Sequence, residues 1–158
     1  MNAFDHLPYR SGVGSMIINA NGQVFVGQRL DSELDAWQMP QGGVDDGEDV
    51  VAAVFREVEE ETGIARHHIE IVTQSQEPYD YDLPMELVGK LWRGRFRGQR
   101  QHWFLLRFSG TDSDIDIATA EPEFREWRWV SADRLVDLIV PFKRDLYAAI
   151  VSEFAPYL

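Results

Sequence analysis

A 23-residue segment, Gly42 to Ile64, constrains this chain more than any other stretch. It carries eight acids (Asp45, Asp46, Glu48, Asp49, Glu57, Glu59, Glu60 and Glu61) against one base, Arg56. Its second half has a helical period, because Val51, Val54, Phe55 and Val58 recur at i, i+3, i+4 and i+7. Gly63 stands where a left-handed cap would end the helix. The spacing predicts a helix from about Glu48 to Thr62, reached through a turn-rich approach from Gln41 to Gly47. On it Glu57, Glu60 and Glu61 fall within an arc of about 100°. The apolar stripe lies about 60° to 160° round from Glu57, so the core can anchor the helix while the carboxylates face a cleft or solvent. Like charges so spaced cost about 0.2–0.5 kcal/mol per pair on an exposed helix, and no Lys or Arg follows four residues later to offset them. A solvated acidic face is one reading. A site for a hard divalent cation, which prefers oxygen ligands, suits the pattern better.

The rest of the sequence bounds the setting. A length of 158 residues predicts one domain spanning 1–158. A net charge of −12 argues at first against a polyanionic partner. Seven of those twelve charges, however, belong to the one segment, and Val88 to Phe108 holds no acid while Lys90, Arg93, Arg95, Arg97, Arg100 and Arg107 give +6. That arginine-rich stretch reads either as a track for a phosphate backbone or as the exposed side of strands. Hydrophobic residues at 44% support a globular chain despite the charge. The absence of cysteine excludes disulfides, thiolate metal sites and cysteine nucleophiles. The N-terminal residues show no basic stretch followed by an apolar one, and no run of 18 uncharged apolar residues occurs, so a soluble, cytoplasmic protein is expected.

Strands are expected at Val13–Ile18 and Val24–Arg29, joined by an Asn21-Gly22 turn, and at Ile69–Gln74, Glu86–Trp92, His102–Phe108 and Trp127–Val130. Ser131 is a candidate N-cap for a helix over Ala132–Ile139, and a last helix is expected over Phe142–Phe154. Mixed strands and helices without repeats or linkers predict an α/β fold with a mixed sheet. Trp37, Trp103, Trp127 and Trp129 sit in apolar strand contexts and are expected in the core.

The acidic segment resembles a known family. Gly42-x5-Glu48-x7-Arg56-Glu57-Val58-x-Glu60-Glu61-x-Gly63-Ile64 matches each specified position of the Nudix box. The resemblance implies a Nudix-type α/β/α sandwich with a mixed, curved sheet, and a hydrolase of phosphoanhydrides using Mg²⁺ or Mn²⁺, two or more ions with substrate. It implies Glu57, Glu60 and Glu61 as metal ligands, a Gly42 carbonyl as a further one, and Glu48 and Arg56 as residues that position the carboxylates. Metal ions lower the pKa of an attacking water and clamp leaving oxygens, which is why such chemistry needs clustered carboxylates. Glu57, Glu60 and Glu123 are all candidates for the base that takes the water's proton.

Further landmarks narrow the resemblance: Trp37-Gln38-Met39-Pro40-Gln41-Gly42-Gly43, Gln101-His102-Trp103-Phe104, the run Pro122 to Val130, and Pro141-Phe142-Lys143-Arg144-Asp145. These are similar to a bacterial Nudix subgroup that removes pyrophosphate from the 5′ end of triphosphorylated RNA, whose close relatives cleave diadenosine tetra- and pentaphosphate. This implies an RNA 5′ end or a dinucleoside polyphosphate as partner, with no DNA or membrane partner and no signal for a particular oligomeric state. A Nudix-fold binding module without catalysis is disfavoured by the intact box. The same resemblance adds Glu123 as a ligand or base, Arg10, Arg29 and Lys143 as phosphate contacts, and Val140 and Phe142 as the apolar wall of a base cleft. Two departures stand out. His102 replaces a common Lys, and the segment between Arg29 and Trp37 is longer than in enterobacterial members.

Overall fold

The computed structural model describes residues 6–32 and 34–158. Seven strands form one sheet: β1 (Tyr9–Ile18), β2 (Val24–Arg29), β3 (Gln41–Gly43), β4 (Ile69–Gln74), β5 (Tyr79–Asp82), β6 (Gly98–Phe108) and β7 (Phe124–Val130). The order along the sheet is β4-β6-β1-β2-β7, with β3 paired to β1 and β5 to β6. The long central strands β1 and β6 run parallel, from Tyr9 opposite Gly98 to Ile18 opposite Arg107, and the other pairings are antiparallel. The sheet is therefore mixed.

Side-chain alternation along the central strands creates two cores. Met16 and Ile18 of β1, with Trp103 and Leu105 of β6, pack toward helix α3 (Arg144–Phe154) through Leu146, Tyr147, Ile150 and Phe154. Val13 and Ile17, with Phe104, Leu106 and Phe108, pack toward helix α1 (Val50–Thr62) through Ala53, Val54 and Val58. Helices thus cover both faces, the α/β/α arrangement. Full burial of Val54 and of Val58 contributes about 1.5–3 kcal/mol each, which fixes the helix to the sheet.

The helix at the acidic segment starts slightly later than its spacing suggests. Asp49 is the N-cap, its carboxylate accepting from the Val51 and Ala52 amides, and Gly63 closes the helix with φ 72° and an N–H donated to the Glu59 carbonyl. Of the stripe, Val54 and Val58 are buried while Val51 and Phe55 are half-buried.

Three expectations need correction. Glu86–Trp92 is not a strand. It forms turns into a 3-10 segment, Leu91–Gly94, in which Trp92 and Arg93 take positive φ, while the strand that pairs with the start of β6 is Tyr79–Asp82. Pro84 accounts for part of this, since its carbonyl accepts from the Leu87 and Val88 amides and curls the chain into a turn. The segment expected as one helix over Ala132–Ile139 is a 3-10 turn followed by the short α2 (Leu135–Leu138), and Ser131 gives its hydroxyl to Asp133 rather than capping. Trp127 and Trp129 are only half-buried, Trp127 stacking on Phe25 with ring centroids 5.5 Å apart, whereas Trp37 and Trp103 are in the core. Among the described residues no helix is long and apolar enough to cross a membrane.

Candidate active site

Three adjoining cavities run across one end of the sheet. The first, about 460 Å³, is lined by Glu57, Glu59, Glu60 and Glu61 of α1 and by Thr119, Glu121 and Glu123 from the loop before β7. The second, about 290 Å³, shares Glu57, Glu61 and Glu123 and adds Arg10, Arg29, Gln41, Gly42, Gly43 and Gln99. The third, about 320 Å³, shares Arg29, Gln41, Leu91 and Trp92 with the second and is walled by Tyr81, Leu83, Leu87, Val140, Phe142 and Lys143. Carboxylates, cations and an apolar wall thus follow one another along a single groove.

Arg56 organises the carboxylates from behind. Its Nε and Nη2 donate to the two oxygens of Glu48, each at 2.8 Å, Nη2 also donates to the Gly43 carbonyl at 2.8 Å, and Nη1 donates to Glu57 at 2.8 Å and Glu60 at 3.2 Å. Charge-assisted, two-pronged bonds of this kind fix geometry as well as adding energy. They hold the Glu48 carboxyl down at about 2 and raise Arg56 above its ordinary range. Glu48 also accepts from the Asp45 amide at 3.0 Å, so the loop before α1 is folded onto the same guanidinium.

Glu57 and Glu61 carry the electrostatic load. Burial pushes the Glu57 carboxyl up, against the pull of Arg56. Glu61, 5% exposed, is pushed well above the usual carboxylate range, first by burial and then by the charges of Glu57 and Glu123. Its Oε2 accepts from the Gln41 amide at 3.1 Å. Gly42 lets the Glu57 carboxyl approach closely, since a Cβ at that position would lie 2.0 Å from it and would push it from its place beside Arg56. Among the described residues no three His, Asp or Glu side chains form a ready cage for a metal ion, because Glu57 and Glu60 are turned toward Arg56. The donor chemistry nevertheless fits a hard divalent cation: six carboxylates line one cavity, and a buried carboxylate beside two others keeps its charge more readily with a compensating cation.

Glu123 reaches this wall because of a register shift. The β2–β7 pairing slips between Gln28 and Arg29, a bulge that re-aims the strand end, and the Leu30 amide donates to the Glu123 carbonyl at 2.9 Å. Arg29, opposite Phe124 on the same side of the bulge as Glu123, is tied to Asp31 through Nε at 2.7 Å. Arg10 lies with its guanidinium 5.3 Å from the Trp92 ring centroid. Lys143 is buried, its Nζ 3.3 Å from Gln41 Oε1 and 4.9 Å from the Tyr81 ring centroid, and burial with the nearby Arg29 charge lowers it to about 7. Phe142 is 40% exposed and so forms cavity wall rather than core.

Each candidate from the sequence therefore lies on or directly behind the groove. Gln41, Gln99, Tyr81 and Trp92 line the groove as well, beyond the residues to which the sequence points. Gln41 precedes the Gly42-Gly43 pair, and that adjacency was the one available signal for it. The arginine-rich stretch divides differently from its sequence: Arg97 pairs with Asp82 and Arg100 with Asp80, both at 2.8 Å, so these two meet local acids across β5 and β6. His102 is half-buried opposite Val13 and lines none of the three cavities.

The sheet is mixed and lies between two helical layers, with the carboxylate-bearing helix α1 on one face, and the NUDIX domain family matches residues 8–150: the chain belongs to that family. Among its relatives are the RNA pyrophosphohydrolases of Sphingopyxis alaskensis, 58% identical over 96% of this chain and 96% of that protein, and of Roseobacter denitrificans, 57% identical over 96% and 95%. Among solved structures, the E. coli dihydroneopterin triphosphate pyrophosphohydrolase superposes with a TM-score of 0.69 at 21% identity, covering 92% of this chain and 99% of that one. A C. elegans Ap4A hydrolase gives 0.66 at 18%, covering 94% and 98%. These two show the shared fold.

Proposed function

We propose that the protein removes pyrophosphate from the 5′ end of triphosphorylated RNA, or orthophosphate from a diphosphorylated end, leaving a 5′ monophosphate. The observation that carries this reading is the shared lining of the first two cavities: Glu57, Glu61 and Glu123 stand on both, next to Arg10 and Arg29. A polyphosphate laid along the groove would meet the arginines while one of its anhydride bonds lies against the carboxylate wall. The RNA pyrophosphohydrolase relatives at 57–58% identity favour RNA over a dinucleoside polyphosphate.

In this reading Glu57, Glu60, Glu61 and Glu123, with the Gly42 carbonyl, hold Mg²⁺ or Mn²⁺. Bound there, the cations supply Lewis acidity that activates water and neutralises the leaving phosphate. Arg56 and Glu48 keep the helix carboxylates in place. Arg10 and Arg29 receive the phosphate oxygens, and Lys143 adds a donor where the second and third cavities meet. Val140 and Phe142 offer an apolar wall to a nucleobase. The attacking water's proton goes to a carboxylate on the same wall. Glu123 suits that part best, because Glu57 and Glu60 are engaged by Arg56 and Glu61 is buried. We place the reaction in the cytoplasm, with the RNA it acts on.

The test is a comparison at equal concentration and with the same metal between a short 5′-triphosphorylated RNA and diadenosine tetraphosphate. The expected result is preferential release of pyrophosphate from the RNA. A strong preference for the dinucleotide would reverse the assignment in favour of dinucleoside polyphosphate hydrolysis.

A further inference from the structure

We propose that Gln99 is a phosphate-binding residue of the second cavity, and that Trp103, acting through Gln101, holds its amide in the donating orientation. The proposal rests on the polyphosphate reading of that cavity.

Gln99, Gln101 and Trp103 alternate along β6 and so share one face of the sheet. They are 1%, 0% and 0% exposed. On the neighbouring strand their register partners are Arg10, Gly12 and Gly14. The indole lies against Gly14, where a Cβ would sit 2.3 Å from the ring, so the ring is held by its fit to β1. An indole N–H can only donate. Trp103 Nε1 does so to Gln101 Oε1 at 2.9 Å, which makes Gln101 Nε2 a donor, and its two hydrogens go to Gln99 Oε1 at 2.5 Å and Gln41 Oε1 at 2.9 Å. The orientation of an amide is ordinarily known only through its partners. Here one group with a single possible role sets the direction of the whole chain.

Gln99 is left with Nε2 to offer. Among the described residues this nitrogen has no hydrogen-bond partner, nor does it rank with the buried unpaired atoms, and Gln99 lines the cavity beside Arg10. A phosphate oxygen accepts and never donates, so an NH₂ next to a guanidinium suits it. Reversal of the amide would turn a carbonyl oxygen toward phosphate and set two NH₂ groups, those of Gln99 and Gln101, against each other. Both consequences are unfavourable. Gln99 is thus the contact and Trp103 a positioning residue some distance from the substrate.

Two measurements test this. With 5′-triphosphorylated RNA, Gln99→Met should raise KM about tenfold, the worth of one hydrogen bond to a charged group, with kcat within about twofold. Trp103→Phe, which keeps a ring and removes the N–H, should raise KM severalfold, and the double variant should be less than multiplicative because both substitutions act on one contact. KM within twofold of wild type in a folded Gln99→Met protein, or fully multiplicative effects, would overturn the proposal. The second measurement needs no variant to fold: side-chain ¹⁵N–¹H resonances of wild-type protein titrated with inorganic pyrophosphate. Shifts of the Gln99 amide together with Arg10 and Arg29 are expected. Shifts confined to the arginines would overturn the role of Gln99 while leaving the polyphosphate reading intact, and no shift at any of the three would remove both.

Discussion

The molecule has two strongly charged regions, the acidic end of α1 and the basic run from Lys90 to Arg107, and they resolve their charge in opposite ways. Around the start of β6 two arginines meet acids of β5: Arg97, just before the strand, with Asp82, and Arg100 with Asp80. Such exposed pairs contribute little to stability, typically about 0.2–1 kcal/mol, but they absorb charge locally. At α1 a single guanidinium serves Glu48, Glu57 and Glu60, and Glu61 and Glu123 are left without a cation bonded to them among the described residues. Surplus charge therefore remains at the groove, and the cations that face it there, Arg10, Arg29 and Lys143, come from distant parts of the sequence. A run of like charges in the sequence tells less than the neighbours the fold supplies.

The largest expected effect lies on the acidic side. Glu57→Gln or Glu61→Gln should reduce Mg²⁺-dependent turnover about a thousandfold, the several kcal/mol that a metal contributes to the transition state. Neither should unfold the protein. Glu61 has a folded pKa above its unfolded one, so metal-free protein should lose stability as pH rises from the ordinary carboxylate range through the folded value. Glu61→Gln should abolish that loss, measured as melting temperature against pH. Near-normal turnover in both variants would break the distinction between the two regions.

Next in size is Arg56→Lys, which keeps the charge but loses the fork. It should destabilise the protein by about 2 kcal/mol, since Lys cannot reproduce two-pronged bonding to Glu48 together with contacts to Gly43 and Glu57. Denaturant unfolding checks this, and an unchanged midpoint would show that the carboxylates need no such organiser.

Lys143 gives a pH signature. Its folded value of about 7 lies below that of an exposed lysine, so the unfolded chain binds more protons between pH 7 and the ordinary lysine range. Its contribution to stability should accordingly rise with pH across that window, while KM for substrate worsens as the phosphate contact loses its charge above about 7. Lys143→Met should flatten both trends and raise KM severalfold at pH 6. The smallest effects belong to the basic run: Arg97→Ala and Arg100→Ala should leave kcat/KM within about twofold, whereas Arg10→Ala should lower it severalfold. Equal losses from Arg97 and Arg10 would mean that the basic run tracks RNA after all.

The two regions also differ in how far the sequence reveals them. The α1 segment was legible down to its C-cap because its determinants are local: period, cap and carboxylate spacing all lie within 23 residues. The 79–97 region is not legible locally, because Tyr79–Asp82 is a strand only through its antiparallel pairing with Gly98–Gln101, and because the apolar Leu87 and Leu91 line the third cavity from turns while Val88 is buried in the core. Gln99 and Gln101 gave no local sign, since their role depends on a tryptophan two to four positions further along the same strand face and on glutamine 41 from another element. The fate of Arg97 and Arg100 likewise depends on which acids β5 brings alongside.

The central claim is that the surplus carboxylates at α1 bind divalent metal, and calorimetric titration of the substrate-free protein with Mn²⁺ tests it most directly. Saturable binding is expected in wild type, lost or strongly weakened in Glu57→Gln and Glu61→Gln, and unchanged in Asp80→Asn on the β5 edge. No saturable binding in wild type, or equal binding in all four proteins, would contradict it.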